Sequence, residues 1–396
     1  MSKHTVLLIG DARMAFPVAK AAAKAGHQIH AGVSIYSNYL EWSRYVSKSF
    51  RHAPLEPGTD EALPAILNWL EKHPEIDTLQ PVSEAGLRFL TRHRDLFETR
   101  ARLAMAKPEA IKLASDKEAM FALCEDLDVP MAAWHRVESL ENLNEKITDI
   151  GYPLIIKPSV VDAPLFGRKA LLINTADELE HLFPDWPEEH PSLLVQRRVK
   201  GDRHSVVFSA QSGELLKAVQ IHAIRTHLSD GTGYTTYGET VAPHPAVKSA
   251  TEAIVRRLNY SGTGCTQFMI NPNQDDLTFM ELNPRMSLAR IAEAAGVPHS
   301  VLAIAVAHDE AITETGDPWD TKQNVRYVWT KGDLNRIMSD LKHGDISFGS
   351  ALAGMARILA DTRHRNHAVL DLLDPLPALG VYTNPIIKRF RSKQSQ

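Results

Sequence analysis

The chain has 396 residues, of which 44% are hydrophobic and 23% are charged. This composition is typical of soluble globular proteins and excludes a largely disordered chain. The net charge of −4 gives no basic field to recruit nucleic acid or an anionic membrane, and no apolar run reaches the ~20 residues that span a bilayer. We therefore expect a cytoplasmic protein without nucleic-acid or membrane partners and, as the commonest default, a homodimer.

The first hundred residues alternate between strand-like and helix-like segments. In chain order, the pattern predicts strand Thr5–Ile9, helix Pro17–Ala25, strand Gln28–Val33, helix Ala62–Lys72, strand Thr78–Val82 and helix Glu84–Leu96. Such alternation predicts an open parallel sheet with crossover helices. We assign residues 1–107 to an α/β domain.

The pattern changes after Pro108, where helices flank longer strands that read as hairpins. The segments are helix Glu109–Leu127 with a cap at Ser115-Asp116, strands Tyr152–Lys157 and Leu193–Gln196, hairpin Val206–Ser209 with Leu215–Ile221, helix Pro243–Leu258, and hairpin Cys265–Ile270 with Leu277–Leu282. This arrangement predicts an α+β domain over residues 108–310. Residues 311–396 form a C-terminal extension, partly helical at Leu334–Leu341.

The strongest group of functional residues lies in the last of these hairpins. Glu281 and Asn283 alternate along one strand, so both side chains lie on one face, and Gln267 on the neighbouring strand can meet them. One carboxylate and two amide oxygens suit a hard cation such as Mg²⁺. Arg285 follows and can hold a negatively charged group. The surrounding apolar residues favour a site over a solvated hairpin edge.

Two lysines add positive charge to this interpretation. Lys157 ends the apolar run Tyr-Pro-Leu-Ile-Ile-Lys, and Lys117 begins a helical segment after Ser-Asp. Either lysine alone is most often a solvated surface charge. Together with an acid and amide metal site, they indicate a triphosphate held by cations from several directions.

These motifs resemble the ATP-grasp superfamily, of the carbamoyl phosphate synthetase large-chain and carboxylate–amine ligase type. The resemblance covers Pro108–His308, and the first domain also resembles the domain that precedes such a module. It rests on Ser-Asp-Lys117, Ile-Ile-Lys157-Pro, Leu-Leu-Val-Gln196 with Lys-Gly-Asp202, Gly-x-x-x-x-Gln267-Phe, Met-Glu281-Leu-Asn283-Pro-Arg285, and Pro-Val-Ser-Glu84. It implies two subdomains, about residues 108–190 and 191–310, that clamp the nucleotide.

The resemblance also implies roles for individual residues. Lys117 and Lys157 would bind the phosphates of ATP, and Gln196 to Val199 would line the adenine, with Asp202 at the ribose. Gln267, Glu281 and Asn283 would hold one or two Mg²⁺, with Mn²⁺ as a substitute. Arg285 and Lys157 would be catalytic. Such enzymes phosphorylate a carboxylate to an acyl phosphate that an amine attacks, releasing ADP and phosphate.

Three departures from the family pattern affect the nucleotide contacts. The loop after Lys157 carries one glycine, Gly167, where the family has several. Arginines follow Gln196 where acids are common. The position beside Gln267 lacks an arginine, so that Arg285 or Arg290 must supply the cation near the acyl phosphate.

The acceptor contacts are less clearly marked. Arg13 and Glu84 follow strands of the first domain, where α/β sheets bind ligands. Arg290 either contacts the acceptor or pairs with Glu293 one helical turn on. The segment around Arg225 reads as a substrate-facing loop.

Rival functions remain open. Bicarbonate phosphorylation of the carbamoyl-phosphate type and a non-catalytic nucleotide-binding subunit are the main ones. A dehydrogenase comes last, because the turn at Gly10 keeps only the first glycine of a dinucleotide fingerprint. Cys124 and Cys265 read as buried small apolar residues.

Overall fold

The computed structural model describes residues 2–382 apart from 11–12, 38, 160–164, 167, 169, 272–275, 313–315 and 364–365. The strands in this part are β1 Thr5–Ile9, β2 Gln28–Ser34, β3 Lys48–His52, β4 Thr78–Pro81, β5 Arg102–Leu103, β6 Trp134–Val137, β7 Leu154–Pro158, β8 Leu171–Ile173, β9 Leu193–Arg197, β10 Asp202–Gln211, β11 Glu214–Thr226, β12 Thr235–Val241, β13 Gly262–Asn271, β14 Asp276–Asn283 and β15 Arg326–Val328. The helices are α1 Ala15–Lys24, α2 Leu63–Lys72, α3 Glu84–Arg92, α4 Arg94–Glu98, α5 Pro108–Ser115, α6 Lys117–Asp126, α7 Leu140–Ile150, α8 Ala176–Leu182, α9 Pro245–Arg257, α10 Ala289–Ala295, α11 His299–Ala307, α12 Thr330–His343 and α13 Phe348–Asp361.

The first domain contains a five-stranded parallel sheet in the order β3-β2-β1-β4-β5. The parallel sheet predicted from the sequence is thus confirmed. The edge strands β3 and β5 were not predicted, because β3 reads Lys-Ser-Phe-Arg-His and β5 has two residues. Neither strand carries the apolar run by which a buried strand is recognised.

The second sheet has six antiparallel strands in the order β14-β13-β10-β11-β12-β15. One face of this sheet is apolar: Val206, Phe208 and Phe268 pack in one core with residues of α5, α6 and α9. Side chains alternate along strands, so their neighbours in sequence point to the opposite face. The edge strand β15 comes from the predicted C-terminal extension, which is therefore built into this sheet.

A third sheet has four strands in the order β6-β9-β7-β8 and packs against α7. Its strand β9 lies beyond residue 190, where the sequence places the end of the small subdomain. Helices α5 and α6 contact β14 of the large sheet, although they were assigned to the small subdomain. Strand pairing and apolar contacts, rather than sequence order, decide to which sheet these segments attach.

Two predicted helices are each divided in two. The stretch Glu109–Leu127 breaks at Asp116, whose side chain accepts a hydrogen bond from the backbone N–H of Ala119 and so begins a new helix. The stretch Glu84–Leu96 breaks at His93. Within the described residues no single helix has the length and apolar character to cross a membrane; α10 and α11 reach both only together, across a 95° bend.

Candidate functional site

The hairpin β13–β14 places three predicted side chains together. Gln267 lies directly opposite Glu281, and Cys265 lies opposite Asn283, so Gln267, Glu281 and Asn283 share one face of the sheet. The Asn283 Nδ2 donates a 2.7 Å hydrogen bond to Glu281 Oε1. Glu281 is exposed and Gln267 is half-buried. One carboxylate with two amide groups at a solvent-accessible position fits the oxygen donors that Mg²⁺ takes.

Lys157 of the four-stranded sheet faces this hairpin. Leu154 and Ile156 pack into the core beneath α7, which turns Lys157 to the other face of the sheet. Its Nζ donates a 2.9 Å hydrogen bond to Gln196 Oε1 on β9. Burial lowers the pKa of Lys157, and the charge of Glu281 acts in the opposite direction. Lys157 therefore lies within electrostatic range of the predicted metal site.

Lys117 lies near the end of the same strand. It is the first residue of α6, directly after the cap Asp116, and its Nζ donates a 2.7 Å hydrogen bond to the carbonyl oxygen of Pro158. Because Pro158 follows Lys157, the two lysines approach one another from different elements. The structure thus brings both predicted lysines to one end of β7.

Arg203 is a candidate site residue that the sequence reasoning missed. Its strand neighbour Ser205 is opposite Gln267, so Arg203 lies on the same face as the predicted metal ligands. Burial lowers the pKa of Arg203, and the negative charge of Glu281 acts in the opposite direction. Arg203 donates to the Gly233 carbonyl oxygen at 2.6 Å and to Thr235 Oγ1 at 3.1 Å. The signal available in the sequence was an arginine shortly before the predicted strand Val206–Ser209.

Arg285 joins the hairpin to the first domain. Its Nη2 lies 3.5 Å from Glu84 Oε2, and its Nη1 donates to Ser287 Oγ at 3.2 Å. Glu84 is the first residue of α3, just after the capping Ser83. Two residues predicted separately, one catalytic and one for the acceptor, are therefore an ion pair across two parts of the fold.

Arg290 and Glu293 have different partners from the pairing considered for them. Arg290 Nη2 donates to Asp371 Oδ2 at 3.1 Å, where Lys20 also contacts Asp371. Glu293 Oε1 accepts hydrogen bonds from the backbone N–H and the hydroxyl of Ser300 at 2.9 and 2.8 Å. Asp371 belongs to the C-terminal extension and is 81 positions from Arg290, so the spacing of residues in the sequence could not predict this contact. The acceptor role of Arg290 stays a prediction.

Arg13 borders a cavity of about 490 Å³ between the first domain and the C-terminal extension. Its guanidinium lies 4.5 Å from the ring centre of Tyr234 and 4.2 Å from that of Trp329. The Arg13 Nε is buried and has no hydrogen-bond partner among the described residues. Ser37, Glu56 and Lys331 also line the cavity. The cavity therefore combines apolar rings with charged groups of both signs.

Gly10, directly after β1, lies close to the start of α3. Gly10 has φ +106°, and a Cβ there would lie 2.2 Å from Ser83 Oγ. This close approach brings the loop after β1 beside the start of α3, where Glu84 lies. The glycine is thus required by the packing of two loops at the carboxyl edge of the sheet.

The structure does not bring the predicted adenine and ribose contacts together as it does the lysines and the metal ligands. Asp202 is exposed, and its Oδ2 lies 3.8 Å from His222 Nε2. Val199 is half-buried after β9, and Gln196 is buried. The residues 160–164, 167 and 169 of the loop after Lys157 lie outside the described residues. The adenine and ribose contacts stay predictions.

The structure also gives the surroundings of Arg225 and of the two cysteines. The segment around Arg225, predicted as a substrate-facing loop, is strand up to Thr226, and Arg225 Nη2 donates to the fully buried Asp333 at 2.7 Å. Asp333 lies in the first turn of α12, so the partner is distant in sequence. Cys124 and Cys265 are buried as predicted, and burial raises the pKa of each thiol to about 12.

Known proteins support this reading of the fold. Residues 238–315 match the family model described as carbamoyl-phosphate synthase L chain, ATP binding domain. The carbamoyl phosphate synthase large chain of Clostridium acetobutylicum is 26% identical over 232 residues, which is 56% of this chain and 21% of that enzyme. The chain therefore spans about a fifth of that relative's length.

Solved structures give the same result for the fold. Biotin carboxylase from Campylobacter jejuni matches with a TM-score of 0.65 at 17% identity, covering 82% of this chain and 74% of that one. The biotin carboxylase domain of 2-oxoglutarate carboxylase from Hydrogenobacter thermophilus, in complex with MgADP, ADP and bicarbonate, matches with 0.62 at 18% identity, covering 81% and 73%. The fold is that of these enzymes, and the resemblance of this chain to the ATP-grasp superfamily of the carbamoyl phosphate synthetase type is confirmed.

Proposed function

We propose that the chain is an ATP- and Mg²⁺-dependent ligase that couples a carboxylate to an amine. The observation that carries this proposal is the electrostatic coupling of Lys157 to Glu281 of the carboxylate and amide site, with Lys117 at the same end of β7. A carboxylate oxygen attacks the γ-phosphorus, and ADP leaves. The amine nitrogen then attacks the acyl carbon, phosphate leaves, and the amine loses a proton to solvent.

The nucleotide would lie between the four-stranded and six-stranded sheets, which act as the two halves of a clamp. Lys117 and Lys157 would contact the phosphates, and Gln196 to Val199 would line the adenine, with Asp202 at the ribose. The contact of Lys157 with Gln196 supports this arrangement, because one side chain orients the other. Phosphoryl transfer requires mainly positioning and charge neutralisation from the protein.

Gln267, Glu281 and Asn283 would hold one or two magnesium ions. When bound, Mg²⁺ neutralises charge on the phosphoryl oxygens and polarises the γ-phosphorus. The hydrogen bond from Asn283 to Glu281 orients the carboxylate before any ligand arrives. Arg203 and Arg285 flank the same face and would stabilise the charge that develops on the transferred group.

The acceptor would occupy the cavity at Arg13. Arg203 contacts Gly233 and Thr235, and Tyr234 between them stacks on Arg13, so this one turn connects the metal-site face to the cavity. An anionic group of the acceptor would meet the guanidinium of Arg13, which lines the cavity. Arg13→Ala should raise the KM for the acceptor and leave the KM for ATP unchanged.

Release of ADP and phosphate on a panel of carboxylates and amines tests the proposal. Turnover that requires both a carboxylate and an amine supports it. Formation of AMP and pyrophosphate, or no carboxylate-dependent turnover, refutes it. Glu281→Ala is the inactive control, and Glu214→Ala, an exposed glutamate on another hairpin, is the matched active control.

A second candidate is phosphorylation of bicarbonate. The structural match to a carboxylase domain in complex with bicarbonate and MgADP favours it. ATP hydrolysis that depends on bicarbonate, and on no other carboxylate in the panel, would decide for this candidate. Tight ATP binding without turnover under every condition would instead indicate a non-catalytic subunit.

A further inference from the structure

A cluster of metal-binding side chains lies at the amino edge of the parallel sheet, opposite the edge that carries Arg13 and Glu84. His30 is on β2, His73 caps the end of α2, and Glu75 follows in the loop to β4. One ligand atom from each of these three residues lies within 4.8 Å of the others. The three come from different elements, so only the tertiary fold brings them together.

His30 is unusual among buried polar groups. Its side chain is fully buried, and neither ring nitrogen has a hydrogen-bond partner among the described residues. Leaving a buried polar group unsatisfied is destabilising, and such groups in native proteins call for an explanation. Burial lowers the pKa of His30 to about 4, so the imidazole is neutral at physiological pH and has a lone pair for a ligand.

A positive charge already lies beside the other two residues, whose ligand atoms, His73 Nδ1 and Glu75 Oε1, are 2.9 Å apart. The Lys48 Nζ is 3.2 Å from His73 Nδ1 and 3.3 Å from Glu75 Oε1. The side chain of Lys48 is 44% exposed, so it can turn outward into solvent. The ammonium group thus marks a position where His73 and Glu75 favour a cation.

We propose that His30, His73 and Glu75 form a binding site for a transition metal ion of the zinc class, displacing the Lys48 ammonium. Two imidazole nitrogens and one carboxylate are typical zinc ligands, whereas Mg²⁺ prefers oxygen. The ion would tie the end of α2 and the following loop to β2. It would be separate from the site at Glu281.

A neighbouring histidine cluster does not have these properties. His4 makes contacts through both ring nitrogens, with Asp77 at 2.9 Å and Glu310 at 3.0 Å. His308 Nε2 lies 2.8 Å from Thr78 Oγ1. These imidazoles are satisfied within the protein. The unpartnered state of His30 is what distinguishes the proposed site.

Zn²⁺ and Co²⁺ titrations of the full chain test the proposal, in a Glu281→Ala background that weakens the other cation site. We expect one Zn²⁺ per chain, visible d–d absorption with Co²⁺, and a metal-dependent rise in Tm. His30→Phe should lower the affinity for Zn²⁺ by at least about 10- to 100-fold, the loss caused by outer partners of metal ligands. Its Tm without metal should be unchanged or higher.

Two further variants keep the test decisive. Lys48→Gln should raise the Zn²⁺ affinity about fivefold, because it removes a competing positive charge. Because Glu75 is exposed, Glu75→Gln should fold normally, and it should lose Zn²⁺ binding. The matched control for His30→Phe is His181→Phe, at an exposed histidine, which should leave the Zn²⁺ affinity unchanged. Equal Zn²⁺ affinity in the wild type, His30→Phe and Glu75→Gln, or no gain in Lys48→Gln, would overturn the proposal.

Discussion

Glu293 gives a sharp prediction about how stability depends on pH. This residue lies on α10, shortly after Arg285, and accepts two hydrogen bonds from Ser300. Burial raises its pKa to about 7 from the model-compound value of 4.5, although the hydrogen bonds from Ser300 act in the opposite direction. The carboxyl group is therefore protonated in the folded chain over a range where the unfolded chain is ionised.

The sign and size of the effect follow from these two values. Between pH 4.5 and 7 the unfolded chain binds fewer protons at this position than the folded chain, so stability falls as pH rises. The slope is about 1.4 kcal/mol per pH unit, and the full loss above pH 7 is about 3 kcal/mol. Below pH 4.5 both states are protonated, and the contribution is fully retained.

Glu293→Gln keeps the hydrogen-bond acceptor and cannot ionise. Urea unfolding of both proteins should give similar stabilities near pH 4.5, and at pH 8 the variant should be more stable by about 3 kcal/mol. Glu214→Gln, on an exposed hairpin, should leave the pH profile unchanged. Parallel pH profiles for Glu293→Gln and the wild type would refute the reasoning.

Three other predictions concern the site and the core. Glu281→Ala should abolish ATP turnover by weakening Mg²⁺ binding, with the free energy of unfolding unchanged, as ADP release and urea unfolding can show. Arg285→Ala should lower kcat by about 100-fold and spare ATP affinity, the pattern expected for a group that stabilises the transition state. Asp333→Ala should destabilise the chain by about 1–3 kcal/mol in urea unfolding, because Arg225 and Thr236 lose a buried hydrogen-bond partner while Asp361 still pairs with Arg225.

Each of these has a result that counts against it. Retained turnover in Glu281→Ala would place the metal elsewhere. Equal losses of kcat and ATP affinity in Arg285→Ala would argue for ground-state binding. A change below about 0.5 kcal/mol in Asp333→Ala would mean that Asp361 alone satisfies Arg225.

Local patterns in the sequence predicted much of the architecture. Apolar runs located the inner strands β1, β2 and β4, and alternation along β14 put Glu281 and Asn283 on one face. Local patterns did not predict edge strands or the sheet to which a strand belongs, because both depend on the pairing partner. The polar edge strand β3 has no apolar run, and β9 joins the small sheet only through its hydrogen bonds to β6 and β7.

The sequence by itself determined the inner strands of the parallel sheet, the hairpin that carries Glu281 and the family resemblance, because these depend on local periodicity and on short motifs. Only the tertiary structure decided which charges meet. Arg285 with Glu84, Arg290 with Asp371, and Arg225 with Asp333 are pairs separated by 81 to 201 positions. No local spacing specifies such contacts, since they follow from how the sheets and the C-terminal extension pack. The same packing brought His30, His73 and Glu75 together.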